Sequence, residues 1–245
     1  MPMNYEDFTT QMQDAVQRGL MELGALRDAP FTDACKRFLY RRTMYRMAFW
    51  MVDSIPTDAI ARAAGVSVSE VYQSYQRFMT YIIACMKHND NFVQENWGFT
   101  GDTAYEYYKI SNKIVTISER QSCIQYFNEA KKFITDVQES INIAYMVAGS
   151  ISDTPYSRAI KENIFKQALT VFIRDLLKTI PKNIFTDIDG MQITEDDVIK
   201  SYSEFLLLLE KVYNRARDDI NELTKQETQK QKTLEESVNG GNNNS

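Results

Sequence analysis

Cys35, Cys85, Cys123 and His88 are the side chains of this sequence best suited to nucleophilic or metal chemistry, and their spacing gives them little to do it with. No Cys-x-x-Cys pair exists, and the single histidine has no second one with which to share a metal. A cysteine–histidine catalytic pair would not need adjacent residues, but each cysteine lies in an apolar helical setting, where buried thiols are common. An odd number of widely spaced cysteines fits a reducing compartment. Asp187-Ile188-Asp189-Gly190 has the outline of a calcium loop, yet the first ligand position would fall on Phe185 and the twelfth on Asp196. Thr194 with Asp197 instead reads as an ordinary helix start. No glycine-rich phosphate loop, His-Glu metal motif or serine elbow occurs. The expectation is a chain that is not an enzyme and holds no metal or cofactor.

The chemistry the sequence does suit is hydrogen bonding to nucleic acid, from the run Thr57 to Tyr75. Two short helices that cross steeply must come close together, and Ala61 supplies a small residue at the crossing. Gly65 follows four residues later, where the chain turns sharply and a positive φ is cheap only for glycine. Ile60, Val66 and Val71 are apolar contacts that pin both helices to a third. Ser67 can cap the second helix, and Glu70 three residues on completes a capping box. These offsets are those of a helix-turn-helix. On a helix starting near Val68, Ser69, Gln73 and Gln76 project along one side, and glutamine can bond an adenine edge in two places.

The stretch Ile60-Ala61-x-Ala63-Ala64-Gly65-Val66-Ser67, followed after three residues by Val71-Tyr72-x-x-Tyr75, resembles the DNA-binding domain of TetR-type repressors. The likeness covers residues 33 to about 80 and is specific from Ile60 to Tyr75. It implies that Ser67 to Tyr75 enters the major groove, that Tyr72 and Tyr75 lie near phosphates, and that a helical effector-binding domain and a homodimer follow. Phe78 stands where members of that family usually carry a lysine, with Arg77 one place early. Arg37, Arg41, Arg42 and Arg77 are the expected phosphate contacts, flanking a DNA-binding surface of Ser67, Ser69, Tyr72, Gln73, Tyr75 and Gln76, of which Gln73 is the expected base reader.

The elements that must position this motif are helices. Nine glycines and five prolines in 245 residues leave few tight turns. Phe8, Met12, Val16, Leu20 and Leu23 recur at helical spacing from about Tyr5 to Leu26, and Ala29-Pro30 ends that helix. A second helix is expected from Asp33 to Val52. The pattern resumes from Val68 to about Lys87 with a break near Arg77, then loosens over 88–101. Further helices are expected from about Ser118 to Ala148, from Pro155 to Ile180, and from Glu195 towards Thr224. Lys225 to Ser245 loses its apolar residues, so a frayed helix and loose tail are expected there.

Charge is uneven. The net −5 comprises −4 over residues 1–35, +5 over 36–88 and −6 over the remainder. A local basic segment is the footprint nucleic acid requires. The N-terminus has neither the basic start nor the apolar run of a signal peptide, and the longest apolar string, Phe205 to Leu209, is too short to span a bilayer. The sequence therefore predicts an all-α cytoplasmic protein: an N-terminal amphipathic helix (1–30), a helix-turn-helix domain (31–90), a helical bundle domain (91–224), and a disordered C-terminal tail (225–245). Its expected partners are double-stranded DNA, a second copy of itself and a small-molecule effector, with no membrane. The function implied is a DNA-binding transcriptional regulator. The rival is a phage-type DNA-packaging (small terminase-like) or ring-forming virion assembly protein, which would use the motif structurally.

Overall fold

A computed structural model describes residues 5–28, 33–97, 117–188 and 191–241, and among these the chain is all-α but for one small hairpin. Eight helices are described: α1 Tyr5–Asp28, α2 Asp33–Asp53, α3 Thr57–Ala64, α4 Val68–Trp97, α5 Ile117–Asp153, α6 Arg158–Thr179, α7 Asn183–Thr186 and α8 Glu195–Gly241. The strands β1 Asp187–Ile188 and β2 Met191–Gln192 pair antiparallel, with Ile188 opposite Met191. Asp189 and Gly190, the centre of the calcium-like sequence, lie outside the described residues. The start of α8 is a capping box: the Asp197 carboxylate accepts from the Thr194 amide (3.0 Å) and hydroxyl (2.7 Å), and the Asp197 amide donates back to that hydroxyl.

Burial on α1 follows the predicted stripe at Phe8, Met12, Val16 and Leu23 but passes over Leu20, which is exposed. Gly19 takes its place, buried where α1 crosses α2; a Cβ there would run into the Met47 sulfur. The missing side chain lets α2 approach, while the drift of about 40° with each four-residue step carries Leu20 past the edge of the buried stripe. α2 itself packs against α1, α4 and α5. With helices on several sides it has little solvent face, and its apolar residues are correspondingly spread around it rather than gathered in one stripe.

The long helices exceed their predicted bounds for identifiable reasons. α4 runs unbroken from Val68 through 88–97, the stretch expected as a loop, because Asn89 is buried with its amide donating to the Phe38 carbonyl (3.1 Å) and Phe92 stacks on Phe38 at 4.0 Å. Residues 98–101 of the expected loop lie outside the described residues. α5 passes Gly149-Ser150 and ends at Asp153. α8 continues past Thr224 to Gly241: Lys, Gln, Glu and Leu over 225–236 are good helix formers, so loss of a core face does not remove helical propensity, and residues 242–245 of the expected tail lie outside the described residues.

The core is one contiguous cluster that includes Tyr5 of α1, Tyr45 of α2, Ile60 of α3, Phe78 of α4 and Phe205 of α8. Hydrogen bonds from tyrosine tie distant elements across it. The Tyr5 hydroxyl donates to the Ala144 carbonyl (2.8 Å) and the Tyr45 hydroxyl to the Ile184 carbonyl (2.7 Å). The helix-turn-helix is therefore anchored in the same core as the helices that follow it. Among the described residues, no helix is long and apolar enough to cross a membrane.

Candidate nucleic-acid interface

The turn between α3 and α4 forms as its sequence requires. Gly65 has φ +69° and ψ 32°, the left-handed conformation that ends a helix, and its amide donates to the Ala61 carbonyl. The Val66 amide reaches the same carbonyl at 3.1 Å. Ile60, Ala61 and Val71 are buried, so both helices are pinned from below. At the start of α4 the Glu70 carboxylate accepts from the Ser67 amide (2.8 Å) and hydroxyl (2.7 Å), and the Glu70 amide donates to the Ser67 hydroxyl (3.2 Å). The backbone bond from Ser67, reinforced by the hydroxyl, holds the Glu70 carboxyl below its ordinary pKa. Its charge is folded back onto the helix N-terminus, where the dipole favours it.

From this start α4 presents one polar row. Ser67, Ser69, Gln73, Gln76 and Arg77 are exposed, and Tyr72 is 44% exposed. The Gln73 amide donates to the Ser69 hydroxyl at 3.3 Å, aligning the two side chains along the helix. The opposite side of the same turns is core. Tyr75, expected near phosphates, is 2% exposed and meets Phe205 of α8 edge-on at 5.0 Å, while Phe78 meets Tyr202 at 4.9 Å. Burial pushes the Tyr75 hydroxyl well above its ordinary pKa. Tyr75 is thus an anchor for α4 rather than a surface contact. Aromatic spacing does not mark that face, since Tyr72 stands three residues from Tyr75 just as Phe78 does and is exposed; the cover supplied by α8 decides.

The arginines of α2 also depart from their expected place. Arg41 and Arg42 are 4% and 5% exposed. The Arg42 guanidinium lies 3.1 Å from Asp90, and those of Arg37 and Arg41 lie over the Phe38 ring at 5.4 and 5.7 Å. Arg46 reaches Glu22 of α1 at 3.4 Å. Asp90 is seventeen residues along α4 from Gln73, roughly 25 Å at the helical rise. Buried Arg41 and Arg42 and half-buried Arg37 therefore belong to the far end of α4, not to the rim of the polar row. Two of the cations of residues 36–88 meet acids from outside that segment, Arg42 with Asp90 and Arg46 with Glu22, so part of its +5 balance is offset within the fold.

What remains near the turn is sparse and mixed. Between Thr57 and Arg77 the charged residues are Arg62 and Arg77 against Asp58 and Glu70, and Arg62 pairs with Asp58 at 3.1 Å. Arg77 faces Asp197, whose carboxyl pKa is lowered chiefly by Thr194 and, to a lesser degree, by Lys200 and Arg77. One cation was not visible in the motif. Arg215 of α8 is exposed and lies beside the turn, its Nη1 3.5 Å from where a Cβ on Gly65 would sit. Nothing in the local sequence of the motif could have pointed to it.

Other chemistry is weak. Cys35 and Cys85 are buried, and burial pushes the Cys85 thiol up to about 12, away from nucleophilic use. The side chain of Cys123 lies outside the described residues. Among the described residues no group of histidine, cysteine and acidic side chains is arranged for a metal. One groove of about 260 Å³ opens between α1, α5, α6 and α8, with walls that include Tyr5, Val147, Phe172 and Tyr213. No protein-family model, curated protein or solved structure matches the chain.

Proposed function

We propose that the chain is a DNA-binding regulator of TetR-like design, in which the first turns of α4 read a major groove. The observation that supports this most directly is the exposed row Ser69, Tyr72, Gln73 and Gln76, carried on a helix whose other face is locked into the core by Val71, Tyr75 and Phe78. A rigid helix with neutral hydrogen-bonding side chains suits reading of base edges. Arg62, Arg77 and Arg215 surround the row and are the groups suited to phosphate. An effector would enter the apolar groove, at the small end of ligand pockets. Tyr213 lines that groove, and Arg215 two residues on touches the Gly65 turn. A ligand that favours one seating of α8 would thereby shift the turn, a population shift with α8 as the shared element.

Selection from a random DNA pool, followed by retardation assays, tests this reading. Enrichment of a defined site is the expected result. Gln73→Ala should then change the preference at one base pair by about 1–3 kcal/mol while leaving the melting temperature unaltered. No enrichment at low salt would end the proposal.

A second reading, a packaging or virion assembly subunit that uses the motif for packing, is favoured by the motif's equal count of acids and bases between Thr57 and Arg77. It predicts rings of many copies in solution, where the regulator predicts a dimer.

A further inference from the structure

The exposed side of α4 carries two parallel lines of side chains at four-residue spacing, and only one of them is polar throughout. Ser69, Gln73 and Arg77 make the polar line. Beside it run Val68, Tyr72 and Gln76, of which Val68 is 49% and Tyr72 44% exposed. The Tyr72 ring rests edge-on against the buried Tyr75 ring at 5.4 Å, a contact with the core that limits where it can turn. Between Gly65 and Gln76 the sequence has no lysine or arginine, and its one acid, Glu70, is bonded back to Ser67.

We propose that Val68 and Tyr72 pack on thymine methyl groups, so that the site α4 reads is rich in A·T pairs. The inference rests on the reading of α4 as a major-groove helix and adds which bases it selects. In the major groove an A·T pair presents the N7 and amino group of adenine beside the O4 and C5 methyl of thymine. The Gln73 amide spends one proton on the Ser69 hydroxyl at 3.3 Å, which leaves its second proton for N7 and its carbonyl for the adenine amino group. The line of Val68 and Tyr72 alongside supplies the apolar surface that a methyl group requires. Guanine presents two acceptors instead and is met best by arginine or lysine, and the cytosine amino group by a carboxylate. The two lines hold no cation before Arg77, and the Glu70 carboxylate is occupied by the helix start. Tyr72 thereby moves from the phosphate role that the resemblance implies to the base edges, because it stands between Val68 and Gln76 on a line without charge.

The sites that the full chain enriches from a random DNA pool should be rich in A·T pairs. Remaking the enriched site with deoxyuridine for every thymine removes only the C5 methyls, and should weaken binding by about fourfold for each methyl contacted. Val68→Ser and Tyr72→Ser should each lower this preference for thymine over uracil, and together abolish it. The melting temperature should stay close to that of the unaltered chain, because both side chains are exposed. A Tyr72 bound to phosphate would instead weaken both forms of the site equally under Tyr72→Ser and leave the preference intact, which would overturn its assignment. A G·C-rich site, equal binding of the two forms by the unaltered chain, or a thymine preference that survives the double substitution would each overturn the proposal while leaving α4 as a DNA-reading helix. Enrichment of no site at all would remove that reading, and this inference with it.

Discussion

Substitutions at Gly65 separate backbone strain from steric clash, because only the first operates there. At φ +69° an L-residue crowds its Cβ against its own carbonyl, at a cost of about 1–2 kcal/mol. The surroundings add little: the new Cβ would meet only Arg215 Nη1, at 3.5 Å, an ordinary contact. Gly65→Ala should therefore cost about 1 kcal/mol, and Gly65→Val about 2 kcal/mol or more, because β-branched residues tolerate this region worst. Gly65→Asn should cost less than Ala, since asparagine visits the left-handed region with local hydrogen bonding. At roughly 2–4 °C per kcal/mol for a chain of this size, Ala should lower the melting temperature by about 3 °C and Val by about 6 °C. Gly24→Ala is the control. It sits within α1 with nothing inside 4 Å of the new methyl, so it should stabilise by up to about 1 kcal/mol. Thermal denaturation followed by circular dichroism reads all four variants. If Asn proves as damaging as Val, or Ala is neutral, the left-handed turn is not what Gly65 is for.

Glu70 carries a pH signature. Its pKa is lowered in the folded chain by the Ser67 amide and hydroxyl, so the stability it contributes is present above the ordinary carboxylate range and is lost as pH falls through the lowered value. The melting-temperature gap between the protein and Glu70→Gln should close as pH drops from about 7 to about 3; a gap that stays constant would mean the carboxylate is not the capping group. Arg41→Ala should act on stability before it acts on binding, costing on the order of 1–3 kcal/mol through lost packing on Phe38. An unaltered melting temperature with uniformly weaker DNA binding would return Arg41 to the surface. The salt dependence of binding should be shallow, with a slope of about −3 per copy from Arg62, Arg77 and Arg215. A slope beyond about −5 per copy would require cations other than these.

Local chemistry made the motif legible before any packing was known. Glycine alone adopts φ +69° without strain, a serine three residues before a glutamate closes its own capping box, and Ile60 and Val71 sit on the inner side by helical period alone. The same holds for Thr194 and Asp197 at the start of α8, and for the all-helical character of the described chain. These features depend on neighbours within about one turn, which the sequence lists in order. What lies across the fold was decided by tertiary contacts. Periodicity gave α2 arginines at helical spacing, but Glu22 of α1 and Asp90 of α4 approach that helix only once it is surrounded, and they draw the positive charge inward. Tyr75 is apolar on one side and polar at its tip, so sequence could not choose between phosphate and core until α8 brought Phe205 against it. Arg215 stands some 150 residues along the chain from Gly65 and joins the turn only because α8 folds back across α3. Periodicity within a helix fixes which side chains share a face, while the identity of what covers that face is set by segments whose separation in sequence carries no local signal.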